Sequence, residues 1–591
     1  MAAVPRLQRR DLIHFILLPC LLFVLIPAFV LKENIDDLAS FDPRAFFFLA
    51  LAAGAVSIVL LSIDWLVRRA TGGAAFSEIV RYVCLFVVTT GFVLPASKSS
   101  GMRDPRLLEI DTVHVVLASL LALALAFASR SVQRSSFSVA LIVFVSFNAA
   151  TCIPALYSLS SASESDDRSI FKVSSERNIL VLSFDGVSGS AVREVLGQHP
   201  EIERSFSGFV FYDKVASSSL ATSASTVASL YGNQNFKEKY DTEGQLWKSA
   251  PRRLLTNYLN ENGFEVSTYG IYNKGFAERS RRHSMLAPRP PASVLTLLNY
   301  SLARALTRFG VFRGGLARQL EDWTQEALTP RGAEARDLRR KMSSSQAPKW
   351  KWGRLTPTVL DYREYVRRLD VAAVGPVAHF AHFTYSHYPV EFDGDCRFKG
   401  HDPDWFAARQ NWMGAREEAR CVLKQAGQFI ERLKALGVFD RSLVVLKSDH
   451  GKPWRYGEPG SLESAPIRGH RNWGYGRYRP FLAIKDFGRG HHGVRHDLHP
   501  VMLDDLAKTL CRNSGIASDC AAYGGYDLLG DDLTDMESAE VTLFVVKSQK
   551  STYRYETQEA ITIERGVDVV ASLCTALAGE PGSPDVNCDE S

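Results

Sequence analysis

The stretch SLVVLKSDHG, residues 442–451, is a run of β-forming apolar residues that stops abruptly on Asp449, His450 and Gly451. An unbroken apolar run of this length fits a strand buried on both faces of a sheet. A second run of the same kind, NILVLSF at Asn178–Phe184, stops on Asp185 and Gly186. Two further short apolar runs, PVAHFAHF at 376–383 and FLAI at 481–484, are separated from these by helix-like stretches at 361–369 and 415–436. Buried strands alternating with helices predict an α/β domain whose central parallel or mixed sheet is covered by helices on both faces. In such folds ligands sit beyond the carboxyl ends of the strands, which is where Asp185, Asp449 and His450 fall. Carboxylate oxygen and neutral imidazole are suitable ligands for a divalent cation of the zinc or manganese kind, and the adjoining glycines let the backbone turn tightly beside it. One Asp-Gly pair after a strand is ordinarily a turn, so the weight of the pattern lies in its repetition at separate strand ends.

This domain is preceded by a segment of different character. Residues 12–31 contain no charge, and a helix rising about 1.5 Å per residue needs about 20 residues to cross a ~30 Å hydrocarbon core. Further apolar runs fall at 45–67, 82–96, 112–128 and 137–157; the third reaches span length by recruiting the turn around Ile79, and Asp64 lies near the end of the second, in reach of the interface. The expectation is an α-helical membrane domain of five spans over residues 1–157. A cleaved signal peptide is the alternative for the first run, but no small-residue cleavage pattern follows it. Arg6, Arg9, Arg10, Arg68, Arg69, Arg81, Arg130 and Arg134 flank the spans on one side, against Lys32, Arg44, Lys98, Arg103 and Arg106 on the other. That bias predicts a cytoplasmic N-terminus and, after an odd number of crossings, an extracytoplasmic remainder. The full chain of 591 residues has a formal net charge of +5, which gives no basic surplus of the kind nucleic acid requires.

Beyond the membrane segment, residues 158–177 are polar, Ser-rich and aperiodic and read as a linker. The soluble remainder holds six cysteines, Cys396, Cys421, Cys511, Cys520, Cys574 and Cys588. Their local spacings predict three short-range disulfides in sequence order, which suits an oxidising compartment; the absence of a C-x-x-C pair argues against a zinc site instead. Residues 294–312 place apolar side chains at helical spacing beside Arg304 and Arg308, the pattern either of an interfacial helix or of an ordinary surface helix. The tail, 536–591, contains the strand-like VTLFVV at 541–546 and a helical 567–577, to which no chemistry attaches.

Between the two strand-end clusters lies SSSLATSASTVASLYG, Ser217–Gly232 written out in full, a concentration of hydroxyls leading into a helix. A hydroxyl at a helix N-terminus sits at the positive end of the macrodipole, which favours an arriving anion and a forming alkoxide; Ser and Thr are also ordinary N-caps. The order S-F-D-G, then T-x-x-S-x-x-x-S-L-Y-G, then S-H-Y-P at 386–389, then S-D-H-G resembles the alkaline phosphatase/sulfatase superfamily over about 178–510. Sulfatases carry C-x-P-S-R ending ten residues on in a glycine, and counting back ten from Gly232 reaches Thr222. Because a sulfatase needs Cys or Ser there for conversion to formylglycine, sulfate-ester hydrolysis is disfavoured. A Thr nucleophile and five preceding spans are similar to the membrane phosphotransferases of that superfamily, the lipoteichoic acid synthases and lipid A phosphoethanolamine transferases.

The resemblance implies a sulfatase-like catalytic domain over 178–535 and a single divalent cation, Zn or Mn, held by Asp185, Thr222, Asp449 and His450. It implies that Thr222 attacks phosphorus and that His387 contacts the phosphoryl group or protonates the leaving oxygen. His379 and His382, inside the apolar run, read as core. Lys452, His470 and Arg471 follow the metal motif and are candidates to hold anionic substrate oxygens. The cluster His491, His492, His496 and His499 is a candidate second metal site that the one-metal transferases lack. The transferases carry Glu where this chain has Asp185, whereas phosphodiesterases of the superfamily carry Asp, so transfer and hydrolysis both stay open. The implied partners are a phospholipid donor and a lipid or glycan acceptor at the plasma membrane of a bacterium, with the catalytic domain in the periplasm. A catalytically silent, lipid-binding regulator of envelope synthesis is the alternative, and the presence of all four candidate ligands speaks for an enzyme.

Overall fold

The computed structural model describes residues 9–28, 43–88, 120–121, 124–125, 143, 169–232, 254–273, 281–283, 286, 337–338, 340–342, 344–348, 355–466, 473–490, 492–516, 520–530, 533, 538–549 and 552–564. The chain divides into two units, Met1–Asp166 with Pro288–Arg336, and Asp167–Ala287 with Asp337–Ser591.

In the first unit, α1 (Arg9–Cys20) runs into a π-helical turn, Leu21–Leu25. Pro19 lies inside α1 and has no N–H to give to the helical ladder, so an irregular turn directly after it has a local cause. α2 (Pro43–Thr71) and α3 (Ala75–Val88) follow. Phe15, Leu18, Leu21 and Leu25 pack with Val80, Cys84, Leu85 and Val88 into one apolar cluster. Within α2, the 26 residues Phe46–Thr71 form a helix long and apolar enough to cross a membrane, with a mean hydropathy of 2.6. The apolar helix Leu12–Ala28 is shorter. The third predicted span is described only as far as residue 88, and of the fourth and fifth only isolated positions are described.

Asp64 does not reach outward as its position near the end of a span suggests. It is fully buried, accepting at 2.7 Å from Arg68 Nε and at 2.7 Å from Ser77 Oγ, while Arg68 also donates to Ser77. The i,i+4 spacing puts Arg68 on the same helix face as Asp64. The turn at Gly72, with φ of +70°, brings Ser77 of α3 back against that face.

The second unit is built on an eight-stranded sheet. Its centre is β2 (Asn178–Phe184), paired in parallel with both β8 (Val377–Phe383) and β9 (Ser442–Lys447). On one side β5 (Glu265–Tyr269) and β6 (Arg281–His283) continue the parallel run. On the other, β10 (Leu482–Lys485) is antiparallel to β9 and to β3 (Val210–Tyr212), and β11 (Arg495–Asp497) closes that edge. The sheet is therefore mixed, as the sequence predicts. All seven residues of β2, of β8 and all six of β9 are buried, which explains why none of these runs alternates.

Alternate residues serve opposite faces. Ile179 and Val181 pack against three helices on one side: helix α5 (Thr222–Tyr231) contributes Ala224, Val227 and Ala228, α6 (Leu255–Glu261) contributes Leu255 and Leu259, and a C-terminal helix, Leu506–Asn513, contributes Leu506 and Leu510. On the other side the ring of Phe184 lies 5.6 Å from that of Tyr362 in α7 (Thr358–Arg368), and Tyr365 stacks at 5.9 Å on Phe429 of α8 (Trp412–Ala435). Helix α4 (Gly189–Gln198), capped by Ser188, follows directly on the β2 turn.

Two of the expected disulfides are present, Cys396–Cys421 and Cys511–Cys520; Cys574 and Cys588 lie outside the described residues. The stretch read as a linker is structured in its second half. Ser169–Phe171 forms a helical turn and β1 (Lys172–Ser174) pairs in parallel with β7 (Asp370–Ala373), burying Ile170, Phe171 and Val173. These three apolar residues anchor a serine-rich run, and a composition average hides them. A separate parallel pair joins β4 (Val215–Ala216) and β12 (Val501–Met502), and in the tail β13 (Ser538–Gln549) and β14 (Thr552–Glu564) form an antiparallel hairpin. The segments 294–312 and 567–577 lie outside the described residues.

Candidate functional site

Three neighbouring parallel strands end on the same edge of the sheet, so the residues that follow β2, β8 and β9 converge. Asp185, Asp449 and His450 are buried, and their ligand atoms all lie within 4.8 Å of one another. The backbone enforces this: Gly186, at φ of +67°, turns the chain so that its N–H donates to Asp449 Oδ1 at 3.0 Å. Gly451 is needed for a different reason, since a Cβ there would come within 2.0 Å of the Gly476 carbonyl oxygen.

Thr222 begins α5, and its Oγ1 lies 3.3 Å from His450 Nε2. The neighbouring hydroxyls fix this position. Ser217 Oγ donates to Ser225 Oγ at 3.0 Å, Ser225 Oγ donates to the Asp449 carbonyl at 2.5 Å, and Ser218 Oγ donates to Asp504 Oδ1 at 3.0 Å. Those three serines are buried and committed to neighbours, whereas Thr222 is half-buried at the helix start.

The electrostatics suit a cation. Asp185 Oδ1 and Asp449 Oδ2 are buried carboxylate oxygens without a hydrogen-bond partner, an arrangement that costs several kcal/mol per group unless a positive charge faces them. Burial alone raises the Asp185 carboxyl, but the imidazoles of His387, His382 and His450 outweigh it and hold the group well below the usual carboxylate range. Burial, helped by the Arg477 charge, lowers the His450 pKa, which favours the neutral imidazole. Its Nδ1 faces the Gly451 carbonyl at 2.8 Å, so Nε2 is the nitrogen left for a ligand. Two anionic oxygens, one neutral imidazole nitrogen and one hydroxyl form a donor set that fits a single zinc or manganese ion.

The remaining predicted residues divide. His387 follows β8 and bears electrostatically on Asp185; its Nδ1 donates to the Tyr388 carbonyl and its ring stacks on Tyr388 at 4.1 Å. Lys452 is corrected: its ammonium is buried against the Glu418 carboxylate and donates to the Ser386 carbonyl at 2.9 Å, so it braces the loop carrying His387 instead of offering charge to a substrate. His470 and Arg471 lie outside the described residues.

His382 is the reverse correction. His379 is core, its Nδ1 3.1 Å from Tyr365 Oη and its pKa pushed down to about 4 by burial. His382, an odd number of residues further on, points to the opposite face of β8, with Nε2 3.4 Å from Asp185 Oδ2 and Nδ1 3.0 Å from Ser183 Oγ. Reading also missed Arg477, whose Nη2 lies 2.8 Å from His450 Nε2.

The histidines near 496 do not assemble with one another among the described residues. His496 Nδ1 faces Asp213 at 3.1 Å and Nε2 faces Glu203 at 3.2 Å, while His499 pairs with Asp497; His491 lies outside the described residues. For His496, burial lowers the pKa, but the two carboxylates more than reverse this and raise it. The protonated ring is thus favoured in the folded state. Its contribution is full below about pH 6.5, the unfolded value, and is lost as pH rises through the raised folded value. The stability gap between wild type and His496→Gln, followed as thermal midpoint against pH, is therefore expected to narrow as pH increases; a constant gap would contradict the assignment.

No family model matches the chain, and no curated protein matches it in sequence. Among solved structures it is similar to a phosphonate monoester hydrolase of Agrobacterium radiobacter, with a TM-score of 0.40 at 15% identity over 67% of this chain and 90% of that one. It is likewise similar to a protein of the alkaline phosphatase superfamily from Vibrio parahaemolyticus, with a TM-score of 0.34 at 11% identity over 67% and 79% of the two chains. A lipoteichoic acid synthase from Listeria monocytogenes matches with a TM-score of 0.33 at 12% identity over 70% and 92%.

Proposed function

We propose that the chain is a membrane-anchored, metal-dependent phosphotransferase or phosphodiesterase that moves a phospholipid-derived head group to an envelope lipid or glycan through a phospho-threonine. The observation that carries this reading is the Thr222 hydroxyl at a helix N-terminus, 3.3 Å from His450 Nε2 and beside two buried carboxylate oxygens that accept no hydrogen bond. Asp185, Asp449, His450 and Thr222 would hold the cation, zinc or manganese. Bound there, a divalent cation lowers the pKa of the hydroxyl and offsets charge on the phosphoryl oxygens.

The rest falls to the protein. The Thr222 hydroxyl loses its proton to solvent and its oxygen forms a bond to phosphorus, the bond from phosphorus to the lipid alkoxide breaks, and a protonated His387 gives its proton to the departing oxygen. In the second step an acceptor hydroxyl, or water, gives its proton to the now neutral His387 and attacks phosphorus, and the threonine oxygen leaves as the alkoxide and takes back a proton from solvent. The helix dipole of α5 favours the negative charge on that oxygen in both steps.

Five spans over 1–157, a cytoplasmic N-terminus and a periplasmic catalytic domain over 178–535 complete the reading, with His470 and Arg471 as substrate contacts. The two disulfides of the second unit support an oxidising compartment, and the long apolar helix Phe46–Thr71 supports a membrane location. Peptide mass spectrometry of the purified chain after incubation with manganese and mixed bacterial phospholipids tests the proposal. A mass increment on the peptide containing Thr222 is expected, and its size names the transferred group; unmodified peptide under every lipid and cation tried would overturn the covalent route.

A further inference from the structure

Arg477 is 4% exposed and sits in the helical turn Tyr475–Tyr478. Its Nε and Nη2 donate to the Leu220 carbonyl at 3.1 and 2.6 Å, two residues before Thr222. Nη2 also lies 2.8 Å from His450 Nε2, and Nη1 is buried without a hydrogen-bond partner. The guanidinium carbon lies 5.1 Å from the Trp473 ring and 5.9 Å from the Tyr388 ring, so the group is flanked by aromatic surfaces that leave its edge free to hydrogen-bond.

Two demands meet on one atom. His450 Nδ1 is engaged with the Gly451 carbonyl, so Nε2 carries the lone pair through which the imidazole can ligate. That lone pair also accepts from Arg477, and it cannot do both. The fork of a guanidinium is rigid, so releasing Nη2 from His450 leaves Nη1 and Nη2 as a parallel pair of donors beside the same nitrogen. Such a pair matches two oxygens of a phosphoryl group. The Leu220 carbonyl, accepting from Nε, keeps the side chain in place while its outer edge changes partner.

We propose that Arg477 has two partners in turn: His450 Nε2, and then, once a divalent cation takes that nitrogen, non-bridging oxygens of the phosphoryl group presented to Thr222. This rests on the metal and phosphoryl reading above but needs no turnover. The arginine would therefore weaken cation binding and strengthen anion binding, so its removal changes the two in opposite directions. A residue that merely braces the site would weaken both.

The test uses the purified full-length chain, titrated calorimetrically with manganese alone and then, manganese-loaded, with inorganic phosphate. Arg477→Gln is expected to bind manganese more tightly than wild type and phosphate about 10- to 100-fold more weakly, the scale of a lost charge-assisted hydrogen-bond pair. Arg477→Lys should recover part of the phosphate affinity but not the bidentate share. Unchanged or weaker manganese binding in Arg477→Gln, or unchanged phosphate binding, would overturn the proposal. Should that variant fail to fold, labelling of wild type with a small arginine-selective dicarbonyl decides. Modification of the Arg477 peptide is expected to rise on adding manganese and fall again with phosphate, and labelling indifferent to manganese would overturn it. A missing Thr222 adduct leaves all of these readings standing, so the two proposals fail separately.

Discussion

Thr222→Ala is expected to lose turnover by on the order of 10⁴-fold or more while still binding its cation. The magnitude follows from removing the attacking atom itself, since nucleophile deletions leave only what binding and charge stabilisation contribute. The second half of the expectation is more discriminating. Asp185, Asp449 and His450 are set by strand ends and glycine turns on β2 and β9, and the one tie to α5, from Ser225 Oγ to the Asp449 carbonyl, does not involve Thr222. Losing one hydroxyl therefore leaves three ligands in register. The alanine is also structurally mild: Thr222 is half-buried, α5 has no side-chain cap to lose, and the serines that pin the preceding loop remain. Steady-state turnover of a lipid substrate, with metal content measured on the same sample, checks both parts. Full activity in this variant would remove Thr222 from the chemistry, and loss of the metal would reassign it to a mainly structural ligand.

How far the site was legible depends on where each residue's information lies. Asp185 and Asp449-His450 could be read because each directly follows an apolar run and so inherits the placement of a strand end. The hydroxyl-rich run before a helix marks only the neighbourhood of Thr222; the residue itself is singled out by the superfamily resemblance, through the ten-residue spacing to Gly232. His382 could not be read, because β8 is buried on both faces and a strand without alternation does not announce which side chains face the ligand edge. Only the register against β2, which pairs Ser183 with His382, puts it beside Asp185. Lys452 misled for the opposite reason: its position after the metal motif is right, but its charge is answered by Glu418, 34 residues away on α8. Arg477 gave no signal at all, since it lies in an irregular turn and its relation to His450 is purely tertiary. The same holds for β1, whose pairing partner β7 is nearly 200 positions away in the sequence.

Asp449→Asn is expected to abolish the gain in stability on adding cation, and that result separates a ligand from a nucleophile. Asp449 is fully buried, its Oδ1 accepts from Gly186 and its Oδ2 has no hydrogen-bond partner. The amide oxygen of asparagine can still accept from Gly186, so the turn that follows β2 keeps its hydrogen bond. What disappears is one of the two anionic charges facing the cation. Removing an outer-shell partner already costs 10- to 100-fold in metal affinity, so removing a charged ligand should cost more than about 100-fold. In wild type, manganese at about 100 times its Kd is expected to add about 2.7 kcal/mol to unfolding stability. In Asp449→Asn the same concentration should add almost nothing, and turnover should be lost with it, whereas Thr222→Ala should keep the added stability and lose only turnover. If both variants kept the stabilisation, the cation would be bound elsewhere; if both lost it, the threonine oxygen would be holding the cation as firmly as the carboxylate does.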